Sequence, residues 1–424
     1  MSLLQDTLNV WWKEVKEMSH DVGVLIFFLG LPIAYPLVYY YVYSTELSRD
    51  IPVAVVDESH SDLSREFIRK LDASPDAAVR ARCADMTEAR LLMERSDVYG
   101  IIRIPSSFLD DIRHGRQTRI AAYSDVSSLI YYKSILLPCS NIAQDMNKGI
   151  KIESIGATAL SDRELDIARE PITYEHVMLY NPQGGYASFL IPPILMLIIQ
   201  QAMVLGLGMA MGRTREKNGG LAIYRGVSGY DNPMAVILGK VFVVFPLFFF
   251  MALYMYVFVI LGFDLPHVGS YWSWVGMLVP YILACSCFTI VCTGMIYRRE
   301  DSMLIFVFMS VPLLFLSGMS WPSVSIPPVW KFVSWLFPST FGLNAHVKIL
   351  SMGGNIATVG HEVTCLWIQT IGYFIIACWL QKAQIAYAER HGSVSTAIER
   401  MKSPRDGMAT DPQETPPPPA PQKA

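Results

Sequence analysis

Residues 186–262 constrain this chain most: two long apolar runs separated by a short basic segment. The first, Tyr186–Gly212, carries no charged residue, and the second, Met234–Gly262, carries only Lys240. About twenty apolar residues at ~1.5 Å each cross a bilayer core, so each run is long enough to span. The link between them contains Arg213, Arg215, Lys217 and Arg225, and the positive-inside rule turns it toward the cytoplasm.

The same reasoning orders the rest of the chain. In residues 1–21, Leu4, Leu8, Trp11, Trp12 and Val15 share roughly one face, with Lys13, Glu14, Lys16 and Glu17 elsewhere. That is the pattern of an amphipathic helix lying at the membrane surface. Residues 22–43 form a first span. Its length and the lack of a cleavage motif after it mark an uncleaved anchor. Lys13 and Lys16 precede it while Glu46 and Asp50 follow, so the N-terminus is expected inside.

Residues 44–185 are the largest polar segment. IPVAVVD (51–57) reads as a buried strand, 60–71 and 85–96 as helices, 98–104 as a strand, then a short helix after Pro105 and a strand at 118–125. Strand–helix alternation predicts a small α/β domain, with helix resuming after Asp125. Residues 186–390 then hold five further spans: 186–212, 234–262, 272–296, 303–318 and 363–380. Arg298 and Arg299 place the link before the fifth inside. The stretch 319–361, broken by Pro322, Pro327, Pro328 and Pro338, is expected to dip into the outer leaflet as broken helices. Lys382, Arg390 and Arg400 keep the C-terminus inside, and the Pro-rich tail 391–424 reads as disordered. The expectation is an α-helical polytopic membrane protein with six transmembrane helices and an inserted extracytoplasmic α/β domain.

Composition and motifs exclude several functions. The chain is 52% hydrophobic and 17% charged, against about 25% charge in soluble domains. No basic, aromatic-interleaved surface points to nucleic acid. A phosphate-binding G-x-x-x-x-G-K-[ST] loop is missing, as are H-E-x-x-H and C-x-x-C, so neither ATP hydrolysis nor a metal is expected in the chain itself. Cys285, Cys287 and Cys292 lie in one apolar run and read as small packing residues; His346 and His361 are isolated. Cys83 and Cys139 read as separate free thiols in preference to a disulfide. Lys240 lies near the cytoplasmic end of its span, where snorkelling accounts for it; contact with a substrate is the other reading. Gln200 and Gln201, mid-span, must find partners. Helix association explains them, and a polar patch on a translocation path is the alternative.

Several stretches resemble a known family. PVAVVDESHSDLSREFIRKLDASP is similar to a strand, Asp turn and helix found there. Ala89–Leu92 and VYGIIRIPSSFLDDIRHG resemble its next helix, strand and Ile-Pro-x-x-Phe turn. Leu179–Pro182 (LYNP), Leu238-Gly239-Lys240, and Ser317-Gly318 with Pro322, Pro328 and Pro338 follow in the family's order. Over about residues 5–390 the chain resembles the permease subunit of type-2 ABC exporters, in the branch with a large first outer loop.

That resemblance implies a multi-pass protein of the bacterial inner membrane. It would pair with a second permease and with a separate ABC ATPase that holds the ATP and Mg, contact membrane lipids, and in some systems work with a periplasmic adaptor. It implies a cytoplasmic coupling loop, 213–232, in which Arg213, Arg215, Glu216, Lys217, Gly220 and Arg225 meet the ATPase. Gln200, Gln201 and Lys240 are the candidates for the path of a hydrophobic or amphiphilic substrate. A competing reading is an ATP-independent envelope protein whose outer domain is a receptor or interaction module.

Overall fold

The computed structural model describes residues 2–43, 49–125, 129–155, 180–181, 185–217, 229–294, 296 and 298–402. The chain divides into two compact units, one of Met1–Tyr39 with Leu190–Ala424 and one of Tyr40–Phe189.

The first unit is helical. Helix α1 is Leu3–Ser19, opened by Ser2, whose side chain accepts from the Gln5 amide. Asp21 then caps the next helix, accepting from the amides of Gly23 and Val24. Among the described residues, five helices are long and apolar enough to cross a membrane: α2 (Val22–Tyr43), α7 (Tyr186–Lys217), α8 (Pro233–Leu261), α9 (Tyr271–Gly294) and the Gly360–Ala386 part of α13 (Gly360–Lys402). They coincide with five of the six expected spans. The remaining one is α10 (Arg299–Leu316), which opens on Arg299, Glu300 and Asp301 and so falls short as a continuous apolar helix.

Helix α7 is the centre of this unit. Its apolar stretch is wholly buried, whereas most of the apolar stretches of α2 and α13 are not. A helix apolar all round is what a site surrounded by other helices requires. Tyr281 on α9 donates to the Met196 carbonyl of α7 at 2.6 Å. Beyond α10 the chain breaks as the prolines predict, into α11 (Pro328–Ser334) and α12 (Pro338–Leu350), each with Pro in its first turn. Helix α13 runs to Lys402 and so takes in 391–402, which the sequence assigned to the tail. That stretch lacks proline before 404, and its second half, Ala397–Lys402, consists mostly of good helix formers. Residues 403–424 lie outside the described residues.

In the second unit, β1 (Ile51–Asp57), β2 (Ala77–Cys83), β3 (Gly100–Ile104) and β4 (Ala121–Ser124) form one sheet in the order β2-β1-β3-β4. Both pairings of β1, with β2 and with β3, are parallel, and β4 runs antiparallel to β3. Helices α3 (Asp62–Asp72), α5 (Phe108–Arg113) and α6 (Leu129–Ile155) contribute to the larger core, with Val53, Val55, Ile102 and Ile104. Ala54, Val56 and Ile101 meet α4 (Met86–Glu94) in a second cluster. Central strand β1 is thus buried on both faces, as its unbroken apolar run requires.

Sequence periodicity missed β2, because Arg80 and Arg82 interrupt it. They belong on an edge strand, where exposed charge blocks further pairing. Cys83 and Cys139 are both free and belong to different core clusters, so the expected pair of separate thiols stands. Burial pushes the Cys139 thiol up to about 11, leaving it neutral and unreactive at ordinary pH.

Candidate coupling site

Helix α1 packs along α8, but not through the residues its amphipathic pattern advertises. Its buried positions are Thr7, Val10, Glu14 and Met18, while Leu4, Leu8 and Trp12 stay exposed. The most apolar positions are therefore left uncovered, and a mixed stripe of two polar and two apolar residues is turned inward. Close approach is possible because the neighbour there is Gly239: a Cβ at that position would lie 2.6 Å from a Val10 methyl. Gly229, with φ of 100°, similarly allows the backbone of Asp6 to come near.

Next to Gly239 lies Lys240, which is 1% exposed. Its Nζ donates to Glu14 Oε1 at 2.5 Å, and the Tyr230 hydroxyl donates to the same oxygen at 2.9 Å. The expected snorkelling does not occur. With α1 covering the route to water, the ammonium is held by a buried carboxylate instead. Glu14 looked like one of several surface charges in the sequence; its position at i+4 from Val10 and i−4 from Met18 is the signal that places it inward.

The C-terminal end of α7 gathers a second set of charges. Arg213 pairs with Asp21 at 2.7 Å, and Arg299, at the start of α10, pairs with Asp21 at 2.9 Å. Burial alone raises the Asp21 carboxyl, but the hydrogen bonds from the two guanidinium groups outweigh it and hold the group below its usual range. Lys217 reaches Glu17 on α1 at 3.1 Å, and Glu17 also accepts from Lys13. There too burial opposes ionisation and the two ammonium groups prevail, lowering the carboxyl.

Arg215 and Glu216 attend to the junction between α9 and α10. Arg215, only 2% exposed, donates to the carbonyls of Thr293 at 3.2 Å and Gly294 at 2.6 Å. It satisfies the last orphan acceptors of α9 and opposes the negative end of its dipole. Glu216 accepts from the Arg299 amide at 3.3 Å, a carboxylate at the positive end of α10. Two successive residues thus attend to the end of one helix and the start of the next.

The contact depends on Gly208-x-x-x-Gly212, a small-residue spacing visible in the sequence that marks close helix packing. At Gly208 a Cβ would lie 2.0 Å from the Ser302 hydroxyl, and at Gly212 it would lie 2.8 Å from the Arg299 amide nitrogen. The obstacle at Gly212 is backbone, which cannot swing aside. Gly212→Val is expected to lower stability by about 1–3 kcal/mol as overpacking and to loosen Arg299 from Asp21, measured as a fall in thermal midpoint and faster proteolysis near 295–298. Gly212→Ala should show a smaller fall of the same sign.

The expected coupling residues therefore divide. Arg213, Arg215, Glu216 and Lys217 are drawn together with Asp21, Glu17 and Arg299; Gly220 and Arg225 lie outside the described residues. Of the expected path residues, Gln200 is 1% and Gln201 8% exposed. Gln200 Oε1 accepts from the Ser339 amide at 2.7 Å and so serves α12, whose N-cap Phe337 offers no side-chain acceptor. Its Nε2 is buried without a partner among the described residues. No group of three or more His, Cys, Asp or Glu among the described residues is arranged to hold a metal.

A family model described as ABC-2 family transporter protein matches residues 22–379. A search of curated proteins finds no match. A match over most of the chain, on a bundle of apolar helices, shows a multi-pass membrane permease, and the chain belongs to the ABC-2 transporter family.

Proposed function

We propose that this chain is the permease subunit of an ATP-driven exporter that moves a hydrophobic or amphiphilic substrate out of the cytoplasm or inner leaflet. It works as a dimer of permeases with a separate ATPase that supplies ATP and Mg, in a bacterial inner membrane, with both termini cytoplasmic. In this reading α10 is the sixth transmembrane helix, entering at Arg299 and completed by the broken helices after it, and the sheet-bearing unit is the inserted extracytoplasmic domain of the large-loop branch. Gln201, the free amide of Gln200 and the Lys240 region border the path. A periplasmic adaptor is compatible with an outer domain of this size.

The observation that supports this most is the gathering of α1, the end of α7, the start of α8 and the start of α10 through Asp21, Glu17 and Glu14. Force applied at one cytoplasmic segment would reach four helices through those contacts. Arg213 and Arg215 have mainly an internal task, so docking is assigned to Glu216, Lys217 and the following residues to 232, including Gly220 and Arg225, with help from α1.

Purified alone, the chain should not hydrolyse ATP; with its ATPase in liposomes, hydrolysis and transport should rise together. Glu216, exposed in the chain alone, would be desolvated against the ATPase, where removing one partner of a charge pair costs ~2–5 kcal/mol, so Glu216→Lys should weaken ATPase pull-down or uncouple hydrolysis from transport. Asp411→Lys in the tail should do neither. A polar linker in place of 218–226, which spares Arg213 and Arg215, should abolish coupling while leaving the thermal midpoint unchanged. Full coupling with that linker would overturn the docking assignment, and transport without any ATPase would overturn the exporter reading.

A further inference from the structure

The sheet-bearing unit contains a cleft that the transport reading does not use. It has a volume of about 680 Å³, within the ~300–1,000 Å³ range of sites that enclose drug-sized ligands. It lies between α5, the segment leading into β4, and α6. Its walls are apolar, formed by Phe108, Ile112, Ile120, Leu136, Met146 and Ile150. The polar groups stand at the rim, where Arg116, Gln117 and Asn147 are exposed.

The rim is electrically balanced, because Arg116 pairs with Asp111 at 3.2 Å. Inside, the Cys139 thiol adds no charge, since burial keeps it protonated. Hydrogen-bonding groups for a head stand at the rim instead, where the side-chain amides of Gln117 and Asn147 are exposed. An amide offers both a donor and an acceptor to an uncharged polar head.

We propose that this cleft binds a single-chain amphiphile with an uncharged, hydrogen-bonding head. Its tail lies along the Ile112–Ile120 and Leu136–Ile150 walls, and its head lies at the rim. The volume suits one tail and is small for a two-tailed membrane lipid. Binding here requires neither an ATPase nor turnover, so it stands or falls apart from the exporter reading.

The test uses the full-length protein in nanodiscs with three photoreactive probes carrying a diazirine in the acyl chain: a monoacylglycerol, a fatty acid of the same length, and a phosphatidylcholine. After irradiation, labelled peptides are mapped by mass spectrometry. The monoacylglycerol should label 108–120 and 136–150 saturably and more strongly than the other two. Ala143→Trp, which fills the cleft, should cut that labelling about tenfold or more, the loss of at least one decade in affinity, while labelling of the apolar helices stays constant. Asp111→Asn, which frees Arg116, should shift preference toward the fatty acid and serves where the Trp variant fails to fold. Labelling absent from these peptides, or unchanged in both variants, would overturn the proposal. Equal labelling by phosphatidylcholine would assign the cleft to membrane lipid and overturn the single-chain class.

Discussion

Lys240→Met is expected to destabilise the protein by ~3–5 kcal/mol, the usual cost of stripping one partner from a buried ion pair. Among the described residues the variant leaves Glu14 with only the Tyr230 hydroxyl, in a site where Glu14 and Lys240 side chains are 3% and 1% exposed. The cost arises from the orphaned carboxylate more than from the lost attraction. The double variant Glu14→Gln with Lys240→Met should therefore recover most of the loss, because an amide can still accept from Tyr230 and no charge remains buried. Thermal unfolding in detergent, followed for both singles and the double, checks this. Equal melting of Lys240→Met and the parent would mean that water reaches the pair and the site is not sealed by α1. The two single variants should also release α1, so limited proteolysis should cut within residues 3–19 in the singles and not in the double.

Asp21→Ala should have the second largest effect. It removes the cap of α2, worth about 1 kcal/mol, and leaves Arg213 and Arg299 facing each other without an anion. Both guanidinium groups remain partly solvated, so the loss of the pairs is discounted toward ~1–3 kcal/mol. Asp21→Asn should retain the cap and lose only the charge. Linkage gives an independent check. The Asp21 carboxyl is lowered in the folded protein, so its contribution is complete above the unfolded value near 3.8 and is lost as pH falls through the lower, folded value. The difference in stability between parent and Asp21→Asn should shrink on acidification below about pH 4. A difference constant with pH would assign the effect to packing.

The sequence by itself determined what solvent demands. Among the described residues all six apolar runs are helical where expected, five of them long and apolar enough to cross, because backbone groups in lipid must bond within their own helix and apolar length records that requirement directly. The strand at 51–57 was legible for the same reason, since a strand buried on both faces is an unbroken apolar run. The broken hairpin after 319 followed from its prolines, and the lack of a phosphate-binding loop was a matter of reading.

Only the tertiary structure decided which charges are surface charges. Glu14 and Glu17 are three residues apart on one amphipathic helix, yet Glu14 is sealed against Lys240 and Glu17 stays at the surface with Lys13 and Lys217. Arg215 and Arg213 stand in one basic segment, yet one satisfies the carbonyls of α9 and the other pairs with Asp21 nearly two hundred residues earlier. Local pattern cannot report this, because the free energy of a charge is set by whatever distant element excludes water from it. Strand β2 was hidden for a related reason: Arg80 and Arg82 are compatible with a strand only at a sheet edge, and strand order is a property of the assembled sheet. The bilayer writes its constraint into composition, whereas the buried ion pairs and the edge strand exist only once remote segments have met.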